Sequence, residues 1–213
     1  MFFSIGNMCP FKITRRSSLW ALTLANVIPL LGVIFFDWRL IDVLFVFWFE
    51  NVIIGFLNVF KMLRIQWAGI FFNIPFFVVH YGGFTYVHLI ILLEIFGEDG
   101  IRHTVGSNPE TIPLILSLIA ATHVALLGLT ASHTFSFFSN FLGKKEHLNT
   151  KLDTQMFKPY GRIVIMHITI LIGGILAQKL GAPIIALVVL IGLKTVIDVL
   201  SHTIEHDKKE LRN

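Results

Sequence analysis

The sequence predicts an all-α fold, a polytopic membrane helix bundle with six transmembrane helices, and three observations carry that reading. Hydrophobic residues make up 55% of the 213-residue chain and charged ones only 14%, against about 25% charged in a soluble domain. The mean hydropathy is +0.77, and 21 Phe add apolar surface that needs lipid as its solvent. The apolar residues fall in runs near the ~20 that cross a bilayer core, with basic residues in short segments between them. That distribution reads the net charge of +4 as topology and excludes nucleic acid as a partner; the expected partner is the lipid bilayer. No polar stretch is long enough to fold separately, so residues 1–213 are expected to form one domain.

Residues 1–17 form a basic lead with Lys12, Arg15 and Arg16. The first span, residues 18–36, has no small-residue cleavage pattern after it, so it reads as an uncleaved helix, kinked at Pro29. Cys9 is the single cysteine, which leaves no intrachain disulfide or Cys-rich metal site. Asp37 to Asp42 reads as a tight polar turn with an interfacial Trp38. The second span, residues 40–63, carries Glu50, Asn51 and Asn58 and ends on Lys61 and Arg64. The third, residues 67–96, is too long for a straight crossing, and Pro75 with Gly82-Gly83 predicts tilt or a mid-membrane break.

An acidic loop with Glu94, Glu98, Asp99 and Glu110 leads to the fourth span, residues 111–138. A longer basic loop follows, from Ser139 to Tyr160, with Lys144, Lys145, Lys151 and Lys158 to meet anionic headgroups. The fifth and sixth spans cover residues 161–179 and 183–205, and the tail carries Lys208, Lys209 and Arg212. Gly128 with Ser132, and Gly173 with Ala177, fit the small-xxx-small pattern of close helix contact. Six spans put 13 Lys and Arg, Arg162 among them, on the side of both termini. Only Arg39, Arg102 and Lys179 fall on the other side, and Lys194 falls inside a span. Both termini are therefore expected in the cytoplasm.

The candidate chemistry lies in polar groups on these oily helices. Lys194, Asp198, His202 and His206 follow one another in steps of four, which places them on one helical stripe. Such a stripe normally faces the bundle interior and finds partners there; Glu50, His80, His123, His133 and His167 are available. Counting 1.5 Å per residue from the cytoplasmic ends puts His133, His167, Asp198, His202 and Asn58 roughly 6–12 Å deep. The same count puts Glu50, His80, His123 and Lys194 roughly 18–22 Å deep. The shallower layer could bind a divalent transition metal such as Zn²⁺ through His133, His167, Asp198 and His202, or it could be a helix-linking hydrogen-bond network. A metal-bound water there would hydrolyse a membrane-embedded substrate.

In the deeper layer Glu50 and Lys194 read as a buried ion pair, with haem ligation by His80 and His123 as an alternative. A proton or ion path through the same carboxylates and imidazoles is a third reading. His88 reads as a surface residue near the outer boundary, and His103, His147 and His206 as solvated loop or tail residues. No Gly-x-Ser-x-Gly elbow, Walker loop or dinucleotide fingerprint is present. The candidate activities are thus a metal-dependent hydrolase, or a non-enzymatic transporter or accessory subunit whose buried polar groups serve proton movement or helix association.

The run Phe47-Trp48-Phe49-Glu50-Asn51, with Gly55, Asn58 and Lys61-Met62 after it, resembles the second span of a bacterial multi-pass membrane family. Leu193-Lys194-Thr195-Val196-Ile197-Asp198 with His202 resembles the same family, a domain of unknown function. The resemblance covers most of the chain. It implies a protein of the bacterial inner membrane and brings no activity with it.

Overall fold

A computed structural model of the chain describes residues 31–65, 71–97, 111–143, 145–180 and 191–192. Among these, every regular element is helical: α1 (Leu40–Ile65), α2 (Asn73–Phe96), α3 (Thr111–Ser136), α4 (Leu152–Phe157) and α5 (Tyr160–Leu180). A π-helical turn, Phe137–Leu142, extends α3, and a 3₁₀ turn, Glu146–Asn149, precedes α4. Among the described residues, three stretches are long and apolar enough to cross a membrane: Leu40–Ile65, Asn73–Phe96 and Thr111–Leu142. The chain is accordingly a helical membrane protein. Most of the predicted first and sixth spans, with Lys194, Asp198 and His202, lies outside the described residues.

The start of α1 is set locally. Asp37 adopts a φ of 51°, a left-handed conformation that a short polar side chain tolerates better than most. The Asp42 carboxylate then reaches back and accepts from the Arg39 backbone N–H at 2.8 Å and from its Nε at 3.3 Å. This acid, three residues into the helix, satisfies a donor that helix geometry leaves unpaired. Trp38 in this turn is buried against Gly32, where any Cβ would overlap the indole ring.

Leu40 to Phe47 is buried on every side, the signature of a central helix. Beyond Phe47 the buried positions narrow to Asn51, Ile53, Gly55, Asn58 and Met62. Helices α2, α3, α4 and α5 all pack on α1. The Trp48 indole N–H donates to the Thr85 carbonyl at 2.8 Å, and the Tyr81 hydroxyl donates to the Asn51 carbonyl at 3.0 Å, so α2 runs antiparallel to α1. Gly55 makes this crossing possible, because a Cβ there would overlap the Tyr81 ring.

The mid-membrane break expected in the third span and the close contact expected at Gly128 do not form, while Ala177, of the pair with Gly173, lies outside the residues whose side chains are described. α2 runs unbroken through Gly82 and Gly83, and Pro75 sits in its first turn, where a missing N–H leaves no intrahelical bond unmade. Gly82, Gly83 and Gly128 all face open space, so neither a break nor a small-residue contact forms at them. Instead α2 carries an aromatic ladder in steps of four: Phe72, Phe76, His80, Phe84 and His88 succeed one another with ring centroids 5.1 to 6.5 Å apart.

The basic loop expected between Ser139 and Tyr160 is instead helical in turns and folded back on α1. Phe141, Gln155 and Met156 are buried. Gln155 Nε2 donates to Asn58 Oδ1 at 2.6 Å, and Lys61 Nζ lies 5.4 Å from the centre of the Phe141 ring. Asn73 Nδ2 donates to Asp153 Oδ1 at 3.5 Å, which ties the start of α2 to α4. This return path brings the first turn of α5 opposite the middle of α1. From there α5 runs antiparallel to α1 and alongside α2, with His80 meeting Tyr160 and His88 meeting His167.

Candidate polar site

Glu50 sits ten residues into α1, about 15 Å along its axis. Its side chain is 15% exposed, and a carboxylate so placed in an apolar helix needs compensation. Arg162, in the first turn of α5, supplies it: Nη1 donates to Glu50 Oε1 at 2.8 Å. His133 approaches from α3, with Nε2 3.5 Å from the same Oε1. Three helices therefore converge on one carboxylate oxygen. Arg162 holds its charge at any accessible pH, whereas an imidazole and a carboxylate can gain or lose a proton.

Beside this cluster α1 and α5 line a part-open cavity of about 20 Å³. Its polar wall consists of Glu50, Asn51, Arg162 and Thr169, and its apolar wall includes Phe47 and Met166. Thr169 donates its hydroxyl to the Ile165 carbonyl at 2.8 Å. Asn51 is 6% exposed, and its Nδ2 donates to the Phe47 carbonyl at 2.9 Å and to Met166 Sδ at 3.4 Å. Its Oδ1 is buried with no partner among the described residues. The two acceptors around Nδ2 fix the amide orientation, because flipping it would set oxygen against oxygen.

A second polar cluster joins α2 to α5. His88 is 3% exposed, and its Nδ1 lies 2.6 Å from the Phe84 carbonyl, so Nδ1 carries the hydrogen. In neutral His88 the remaining nitrogen, Nε2, accepts, and His167 Nδ1 at 2.9 Å donates to it. Nearer the site, His80 Nδ1 lies 3.0 Å from the Tyr160 hydroxyl, and its ring stacks on Phe76 at 5.2 Å. His123 is exposed and turns to its own helix, with Nδ1 2.7 Å from the Ala120 carbonyl.

Several expected placements change accordingly. The depth count separated His133 from Glu50, yet the two touch. α3 continues as helix to Leu142 rather than ending at Phe138, and four residues are worth about 6 Å of depth. His133 and His167, paired in the metal reading, belong to different clusters. His80 and His123, paired in the haem reading, have different partners. The four proposed metal ligands are only half within view, since Asp198 and His202 lie outside the described residues, as does Lys194, the expected partner of Glu50. Among the described residues no three His, Cys, Asp or Glu groups come together to hold a metal ion.

His88, read as a solvated surface residue, is buried; its spacing from Phe77, Tyr81 and Leu92 sets it on the apolar face of α2 and could have found it. By sequence Arg162 reads with the loop cations, because it follows the Lys-rich segment with only one turn of chain between. Asn58 is 2% exposed and bonded to Gln155, so it joins α1 to α4 rather than to the Glu50 site.

No curated protein and no solved structure matches this sequence. A family profile does match it, across residues 8–213, and that family is described as one of unknown function (DUF6498). Membership puts the Glu50 cluster, the His88 to His167 bond and the Gln155 to Asn58 bond all inside the family's matched region, and the chain belongs to this family of unknown function.

Proposed function

We propose that this is a multi-pass protein of the bacterial inner membrane, with six spans and both termini in the cytoplasm, that moves protons or ions through the Glu50, His133 and Arg162 cluster. The convergence of His133 and Arg162 on one Glu50 oxygen carries the reading. A permanently charged guanidinium holds the carboxylate in place, and the imidazole beside it offers a second site for the same proton. The His80 to Tyr160 and His88 to His167 contacts supply further exchangeable protons along α2 and α5.

Full-length protein reconstituted into vesicles containing a pH-sensitive dye tests this directly. An imposed membrane potential should drive proton entry above that of empty vesicles, and Glu50→Gln and His133→Ala should each abolish most of it. Vesicles as tight as empty ones, or flux indifferent to both changes, would refute the proposal.

A second reading, helix association alone, has one observation in its favour: the 2.8 Å ion pair directly joins α1 to α5. Under it both variants lose stability and wild-type vesicles show no flux. The hydrolase reading draws on His133, His167, Asp198 and His202. Stoichiometric metal in purified protein, lost in His167→Ala and His202→Ala, would support it over proton movement.

A further inference from the structure

Two contacts tie α3 and its π-helical extension to α1. His133 Nε2 lies 3.5 Å from Glu50 Oε1, and Lys61 Nζ lies 5.4 Å from the centre of the Phe141 ring. On α1, Glu50 and Lys61 are 11 residues apart, which is three turns and about 20°, so they share one face. His133 and Phe141 are 8 residues apart, which in α geometry is two turns and about 80°. A regular helix would turn one of them away from α1.

The buried stripe of α3 shows which one. Leu114, Leu118, Thr122, Ala125 and Leu126 span an arc of about 120°, and His133 falls inside it. Continued in α geometry, that arc takes in Asn140 and leaves Phe141 about 60° outside. The structure does the reverse: Phe141 is 3% exposed, and Asn140 is only partly buried and bonds to Ser136 Oγ at 3.2 Å. Between them and His133 the helix changes its winding. The Gly143 N–H donates to the Phe138 carbonyl at 2.9 Å, a bond over five residues instead of four. One added residue sets the chain beyond it back by about 100°, which returns Phe141 to within about 20° of His133.

We infer that the π turn Phe137–Leu142 is a one-residue register correction, the element that positions His133 on Glu50 while Phe141 stays seated under Lys61. It joins the return segment to the polar cluster, because the two contacts are compatible only with the extra residue placed between them. The same turn shifted to the N-terminal side of His133 would keep Phe141 seated and swing the imidazole about 100° off Glu50. The inference concerns the placement of His133 and holds whether or not protons move through the cluster.

Cysteine pairs in a Cys9→Ser background of the full-length protein read the two contacts. One protein carries Glu50→Cys with His133→Cys, and another Lys61→Cys with Phe141→Cys. Each pair is bridged by a short bifunctional thiol reagent and quantified by mass spectrometry. Deleting Asn140 removes the extra residue and leaves positions 133 and 141 two turns less about 20° apart, so both cross-links should stay within about twofold of the undeleted proteins. Deleting Ser139 in its place is an independent route to the same register. Deleting both residues overshoots by about 100°, and the Lys61 to Phe141 cross-link should fall by roughly tenfold or more.

Survival of both cross-links in either single deletion, with loss at Phe141 in the double deletion, is the expected result. Loss of a cross-link in both single deletions, whether by rotation or by misfolding, would overturn the inference. So would a double deletion that keeps both cross-links, or undeleted proteins that fail to form them. Cross-linking reads register and the vesicle assay reads flux, so either can fail alone.

Discussion

Removing the guanidinium of Arg162 should cost more than removing the charge of Glu50, and the two losses should not add. The asymmetry follows from exposure: the Glu50 side chain is 15% exposed and that of Arg162 is 41%. In Arg162→Met the carboxylate stays buried beside His133, stripped of its 2.8 Å donor. In Glu50→Gln the guanidinium, the less buried of the two groups, can turn away from the neutral amide. Breaking a fully buried pair costs about 3–5 kcal/mol, and an exposed pair is worth about 0–1 kcal/mol.

Half-exposed Arg162 falls between these limits, so about 2 kcal/mol is expected for Arg162→Met and about 1 kcal/mol for Glu50→Gln. The double variant buries no charge at this site, and its loss should fall short of the summed single losses by about 1 kcal/mol. Unfolding by SDS titration from mixed micelles, followed through Trp48 fluorescence, measures all four proteins. Additive losses would show that the two side chains do not interact. Single variants as stable as wild type would place the cluster in water rather than in a bundle interior.

Two further changes test the packing around the site by the same titration. Gly55→Ala should lose about 1–3 kcal/mol, because its methyl group meets the Tyr81 ring, whereas Gly82→Ala faces open space and should be neutral or gain up to about 1 kcal/mol; equal responses would mean α1 and α2 do not cross at Gly55. Gln155→Leu should lose about 1–3 kcal/mol by stranding Asn58 Oδ1, and adding Asn58→Leu should restore most of it; no restoration would mean the two amides are not bonded to each other.

Much of this was legible from residue types. Glu50, Asn51 and Asn58 stand out on an apolar helix because polar groups there are expensive and therefore rare. The turn before α1 was likewise readable from its aspartates. Arg162 and Gln155 were not readable. A cation next to a Lys-rich stretch looks the same whether it marks topology or neutralises a buried acid, and the difference lies in where the chain returns. The stretch from Phe137 to Pro159 decides that return. Its polar residues suggested a loop, but Phe141, Gln155 and Met156 find burial against α1 and draw the start of α5 inward. Local pattern reports which residues need partners, and says little about which partner each one finds.

By itself, the sequence determined a helical protein made for lipid and the short set of ionisable groups that its helices could not leave unpaired, because those follow from composition and from a period of 3.6 residues. Only the tertiary structure decided that Glu50 meets Arg162 and His133, and that His88 meets His167. Which side chains touch depends on how one helix slides and rotates against the next. A shift of a single turn, about 5.4 Å, exchanges every partner without altering the periodicity of any helix.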